Sequence, residues 1–338
     1  MMPEVRVAGF PSSYGGADTE LDHLIDLLRA RDVEITLVPM FGTSEPMTAS
    51  VRARGCRILP YRNDVFRDYT VLSFCNGEFL SSLPSIMQTG RPRRVIWFNC
   101  MTWLFERERH AHAQGWIDVF GFTSRYQEQV LGPQLAAIRP YRSFSYRPYF
   151  HVPRVAWQYR PWDGHYRVGR ISRDDGDKFA RDTWRIFDRV LVPASLCKKV
   201  YILGYGPRAA AKIGPAPPTL DWRTWSANEI SATELFRTID TMIHKTGGSR
   251  ESYGRVLIEA YAHGVVPIVE HDYAFPDLVV HGETGFLARD SDEMSFYASL
   301  LAHDPARHRA MAEAGRAHLE RVLVSPDACW AGWRDVLA

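Results

Sequence analysis

No stretch of this sequence is long and apolar enough to span a bilayer, and near the start Pro3, Glu4 and Arg6 interrupt any signal-like run. The expectation is a cytoplasmic protein, although neither absence bears on peripheral membrane contact. Cysteine is scarce as well. Cys56, Cys75, Cys100, Cys197 and Cys329 are odd in number, widely scattered and without paired metal-ligand spacing. That pattern argues against a disulfide framework or a structural zinc site and predicts reduced thiols, several of them small core residues. An excess of either charge is also missing. The formal net charge is +2 with both signs mixed along the chain, which gives no ground for a nucleic-acid partner. A local basic patch would still suffice for a phosphorylated ligand. Internal sequence repeats are absent too.

What is present is an ordinary globular composition, 46% hydrophobic and 24% charged, over 338 residues, enough for two domains that each bury a core. The chain opens as strand, glycine loop, helix, strand. Val5 to Phe10 is a short apolar run, followed by Pro11-Ser12-Ser13-Tyr14-Gly15-Gly16. Leu21, Leu24, Ile25 and Leu28 then fall on one helical face, and Ile35 to Val38 supplies the next strand. Such a βαβ unit implies a parallel sheet. Further strands are expected at Tyr69–Phe74, Arg94–Phe98 and Val119–Thr123, with helices between. Around Pro140–Gly164 prolines, aromatics and arginines replace periodicity, which predicts a link between domains. A second α/β series starts at Tyr166–Arg170, with strands expected at Val200–Leu203, Thr241–His244 and Val265–Val269 and helices near Ala232–Ile239 and Tyr253–His263. Trp330 and Trp333, three apart near the C-terminus, suit a docking helix.

The segment from Gly247 to Ala260 carries the most chemistry. It follows a strand and opens a helix, so backbone N–H groups there can face a diphosphate. Glu251 stands at the mouth of that helix and Glu259 two turns in. A carboxylate accepts two hydroxyl hydrogens at once, which suits the vicinal hydroxyls of a ribose. The bland alternative, a carboxylate favouring the helix dipole plus a solvated Glu, has equal weight for this segment alone.

The segment is followed by Ala262-His263-Gly264-Val265-Val266-Pro267-Ile268-Val269 and by His281-Gly282-Glu283-Thr284-Gly285-Phe286. This ordered run resembles the C-terminal half of the retaining glycosyltransferases of family 4 (glycosyl transferases group 1), whose signature is two glutamates eight positions apart, a Gly-Val-Pro-like strand and a Gly-x-Thr-Gly turn. The resemblance is strongest from Val168 to Leu287 and implies a GT-B fold, an α/β architecture of two Rossmann-like domains facing across a cleft. Residues 1–160 would form the acceptor domain, 161–322 the nucleotide-sugar domain, and 323–338 a helix packing back on the first. It implies a nucleotide-sugar donor, an acceptor the sequence does not name, no cofactor and no metal. By this resemblance Gly15 and Gly16 approach the donor phosphate and acceptor, and Arg170, within Gly169-Arg170, reaches the diphosphate. Asp175 stands where the family usually has a Lys, so Lys178 is expected to take over. Glu251 would orient the donor sugar, Glu259 would hold the ribose, and Ser252, Tyr253, Gly254 and Gly204 would line the donor pocket. Where many relatives place a His after a central strand of the first domain, this chain has Asn99-Cys100-Met101-Thr102; His110 and His112 read as solvated or capping residues.

Two motifs compete. Asp175-Gly176-Asp177 looks like an Asp-x-Asp metal signature, but Arg170 and the helix start already offer positive charge, so a solvated acidic turn is the better reading. Gly204-Tyr205-Gly206-Pro207-Arg208-Ala209 fits the dinucleotide pattern Gly-x-Gly-x-x-Ala and raises an NAD-dependent oxidoreductase as the alternative. Against it, Gly214-Pro215 cuts the following helix short. A catalytically inactive sugar-nucleotide-binding module is a third reading. Turnover separates them: nicotinamide absorbance, release of nucleoside diphosphate, or neither.

Overall fold

The computed structural model describes residues 4–11 and 16–337. The chain forms two compact units, Met1–His151 with Val324–Ala338, and Val152–Leu323.

The first unit runs β1 (Glu4–Ala8), α1 (Gly16–Arg29), β2 (Glu34–Val38), α2 (Glu45–Ala53), β3 (Arg57–Ile58), β4 (Thr70–Phe74), α3 (Gly77–Ser85), β5 (Arg94–Phe98), α4 (Glu106–Ala113), β6 (Val119–Phe122), α5 (Arg125–Ala136) and β7 (Ser143–Ser145). Its seven strands are parallel in the order β3-β2-β1-β4-β5-β6-β7. Helices on both faces explain why β4 reads as a continuous buried run rather than an alternating one. Val71, Phe79, Leu83, Val95, Trp97, Phe120 and Leu135 fill the core. Asn76 caps α3 by accepting from Phe79 N at 2.9 Å. Gly9, at φ +98°, lies so close that a Cβ there would meet Asn76 Nδ2 at 1.5 Å.

The second unit runs β8 (His165–Ile171), α6 (Thr183–Asp188), β9 (Cys197–Leu203), α7 (Pro207–Ile213), β10 (Trp222–Trp225), α8 (Ala232–Thr238), β11 (Thr241–His244), α9 (Arg255–Ala262), β12 (Val266–Glu270), β13 (Phe286–Ala288), α10 (Ser291–His303) and α11 (Pro305–His318). Six parallel strands lie in the order β10-β9-β8-β11-β12-β13. Val168, Val200, Ile202, Ile243, Val266 and Ile268 form its core. The last helix, α12 (Pro326–Leu337), belongs to the first unit. There Trp333, fully buried, packs against Phe98, Phe144 and Tyr146 with ring centroids 5.4–5.6 Å apart.

Several elements differ from expectation. The stretch read as a link contains β7, a three-residue edge strand too short for its alternation to show. β3, β10 and β13 are short edge or near-edge strands that escaped for the same reason. His112 is not solvated: it is 1% exposed, and its Nε2 donates to Leu135 O at 3.1 Å, tying α4 to α5. None of the five cysteines is in a disulfide. Among the described residues no helix is long and apolar enough to cross a membrane.

At the end of β5 the position expected for a His in relatives is held by a buried network. Asn99 Nδ2 donates to Trp103 O at 2.8 Å and to Glu108 Oε2 at 2.7 Å. Glu108 also accepts from Trp97 Nε1 at 2.8 Å and from Phe105 N at 3.1 Å. Burial pushes its carboxyl up to about 7, against the pull of those donors. Because this folded value lies above the ordinary 4.5, the stability Glu108 contributes is complete below pH 4.5 and lost as pH rises to about 7. Glu108→Gln, neutral throughout, is therefore expected to be most destabilised relative to wild type at acid pH. The gap in unfolding free energy should narrow by about 3 kcal/mol between pH 4.5 and 7, at 1.36 kcal/mol per pH unit. Urea unfolding at several pH values measures it; a gap that stays constant would mean a Glu108 ionised throughout.

Candidate active site

In the second sheet the strand order reverses between β8 and β11. The connections from these neighbours leave on opposite sides, and the carboxyl end of the sheet at such a reversal is where open α/β sheets bind ligands. The loop after β8 carries residues 172–179, and the loop after β11 carries residues 245–254.

Arg170, near the end of β8, is 1% exposed. Its Nη2 donates to Lys178 O and, at 3.4 Å, to Ser172 Oγ, and its guanidinium lies over the Phe179 ring at 4.8 Å. Burial lowers its pKa to about 10, opposed by the charges of Glu270 and Glu251, so it remains a cation at neutral pH. Lys178 closes a single helical turn, Gly176–Lys178, and its Nζ donates to Glu251 Oε1. Both side chains are mostly buried, 20% and 15% exposed. Arg170 at the end of β8, Lys178 in the loop after it and Glu251 more than seventy positions further on thus meet in one place.

The two loops are laced together by their backbones. Asp177 O accepts from Gly247 N at 2.9 Å and Ser249 N at 3.0 Å, and a Cβ at Gly247 would meet Phe179 O at 1.9 Å. Beyond them Gly254, at φ +87°, starts α9 with no side-chain cap. Ser252 and Tyr253 form the turn that leads into it. The start of a helix, with its N–H groups and dipole, favours a nearby anion. On α9 Glu259 lies 3.6 Å from Arg255 Nε, and burial raises its carboxyl above the usual range while Arg255 opposes. Glu270, at the end of β12, accepts from Thr246 N at 3.0 Å and bears on Arg170. Sequence reasoning missed Glu270 because it ends an apolar strand without a motif of its own.

The competing motifs have definite local work. Asp174 accepts from Ala209 N at 2.8 Å and Arg208 N at 3.4 Å, so its carboxylate sits at the start of α7. A Cβ at Gly206 would meet that carboxylate at 2.4 Å, and one at Gly204 would meet Ser172 O at 1.8 Å. The Gly-x-Gly turn is thus filled from within the chain, and the position a dinucleotide pyrophosphate would take carries an anion already. Asp175 spends Oδ1 on Asp177 N at 3.0 Å, capping its own turn, while the Asp177 side chain is 74% exposed. Among the described residues no group of three or more His, Cys, Asp or Glu is arranged to hold a metal ion. Gly16 opens α1 in the first unit, and Gly15 lies outside the described residues.

Residues 226–318, which include both glutamates, match the family model of glycosyl transferases group 1. No curated protein sequence matches the chain. Solved structures do. Anabaena HepE, crystallised with UDP-glucose, is 14% identical over 99% of each chain with a TM-score of 0.69. TarM of S. aureus is 8% identical over 100% of this chain and 99% of its own, with a TM-score of 0.77. Sucrose-phosphate synthase from Thermosynechococcus elongatus is 13% identical over 99% and 98%, with a TM-score of 0.70. With two parallel sheets of seven and six strands and these structural neighbours, the chain has the GT-B fold, and its second unit carries a glycosyl transferases group 1 region.

Proposed function

We propose that the protein is a cytoplasmic retaining glycosyltransferase that moves a sugar from a nucleoside-diphosphate sugar to an acceptor hydroxyl without a metal. The observation that carries this reading is the grouping of Arg170, Lys178 and Glu251 beside the start of α9, with Glu259 two turns along. Cations and N–H dipoles there suit a diphosphate, and the carboxylates suit sugar hydroxyls. UDP-glucose bound to the similarly folded HepE supports the choice of ligand class.

In the reaction the bond between the anomeric carbon and the diphosphate oxygen breaks, and the acceptor oxygen forms its bond on the same face. The departing phosphate takes the acceptor's proton. Negative charge grows on the diphosphate as it leaves, so Arg170, Lys178 and the N–H groups at the start of α9 act most strongly in the transition state. Glu251 orients the donor sugar. Glu259, held near Arg255, receives the ribose hydroxyls, and the first unit supplies the acceptor site.

Release of nucleoside diphosphate from UDP-, GDP- and ADP-sugars, without change in nicotinamide absorbance, is the direct test. Glu259→Gln is expected to weaken binding of the matching nucleoside diphosphate by about 1.5–3 kcal/mol, the range for a hydrogen bond to a charged group, while Tm stays near wild type. Unchanged affinity by calorimetry would remove Glu259 from the ribose.

A further inference from the structure

His244 is the last residue of β11 and therefore borders the strand reversal. It is 2% exposed, and neither ring nitrogen has a hydrogen-bond partner. Phe275 stands edge-on to its ring at 5.7 Å. Burial, reinforced by the nearby charges of Arg170 and Lys178, holds its pKa well below the usual value. The ring is thus neutral, with one N–H donor and one acceptor nitrogen. A leucine or phenylalanine could fill this slot without burying either. An unpaired buried polar group costs more than an ordinary hydrogen bond contributes, so a histidine here calls for a partner from outside the chain.

The neighbours indicate its chemistry. Arg170 Nε, on the adjacent strand, is also buried and unpaired. Two buried N–H donors beside an ammonium repel a metal ion and gain nothing from an apolar ligand, but they match an oxygen-rich anion. We propose that His244 is a donor-binding residue whose ring N–H hydrogen-bonds an oxygen of the diphosphate bound at the carboxyl ends of β8 and β11, next to Arg170 Nε. The identity of that anion rests on the glycosyltransferase reading above.

The test titrates UDP, GDP, ADP and UDP-glucose into wild type, His244→Leu, His244→Asn and His244→Gln by calorimetry and records each Tm without ligand. His244→Leu should weaken UDP binding roughly ten- to hundredfold, the equivalent of a hydrogen bond to a charged group. Its Tm without ligand should equal or exceed that of wild type, because an unpaired polar group leaves the core. At least one amide variant, each of which keeps an N–H donor, should recover most of the affinity. Equal UDP affinity in wild type and His244→Leu overturns the assignment. So does a lowered Tm in His244→Leu with no recovery by either amide, which marks a structural histidine. If the leucine variant does not fold, the amide variants decide: wild-type folding with tenfold or greater loss in both overturns it, and retained affinity in either supports it. Wild type that binds none of UDP, GDP or ADP overturns the proposed function, and this inference with it.

Discussion

Lys178→Ala is expected to lower turnover by about 10²–10³-fold, the effect of removing one well-placed charge-stabilising donor, while the protein remains folded. The lysine carbonyl, not its side chain, receives Arg170, so that contact survives the substitution. The variant leaves Glu251 without its ammonium partner, but both groups keep some contact with solvent, which limits the cost to stability. The loss should fall on kcat more than on KM, because the ammonium gains most as charge builds on the leaving diphosphate. Asp175→Ala should be mild by comparison, since that carboxylate only caps its own turn on Asp177 N. Neither magnesium nor a chelator should alter wild type or variant in this reading. If Asp175→Ala abolished turnover and chelation stopped the wild-type enzyme, the acidic turn would be a metal site and the cations would not come from the protein.

The reason Lys178 is available is the part of the site the sequence could not disclose. The two-unit α/β plan was legible because buried parallel strands such as Thr70–Phe74, Arg94–Phe98 and Val266–Glu270 are continuous apolar runs bounded by glycine and polar turns. Glu251 and Glu259 were legible because their spacing lies within one continuous segment. Asp174 was not, since its role as a cap depends on Arg208 and Ala209 more than thirty positions away. Once Asp174 turns outward to α7, Asp175 and Asp177 are taken up in a tight turn, and Lys178 emerges beside Arg170. His244 escaped for the opposite reason. It sits in a strand whose four residues are all buried, and one-dimensional pattern reading treats such a position as core. His112 shows the converse: a polar residue in a charged helix, read as solvated or capping, is buried and bonds Leu135 O in the last turn of α5.

Glu251→Gln is expected to reduce turnover with intact donor by about 10²-fold or more, the lower end of what loss of a positioned charged contact produces, while UDP affinity is maintained or rises. Without ligand the Glu251 carboxylate holds the Lys178 ammonium, so a bound diphosphate must compete for that cation. A neutral amide competes less well, which leaves Lys178 freer to meet phosphate oxygens in a complex that has no sugar. With the complete donor the amide also loses one strong acceptor for sugar hydroxyls, and the anomeric carbon is held less firmly against the acceptor. Affinity for UDP and turnover with UDP-sugar should therefore move apart. A double-mutant cycle with Lys178→Ala extends the test: the two losses in turnover should fall short of adding, because each variant also disturbs the partner that remains. If Glu251→Gln instead weakened UDP and turnover by the same factor, the carboxylate would serve the nucleotide by positioning Lys178, and the donor sugar would have to be oriented by another group.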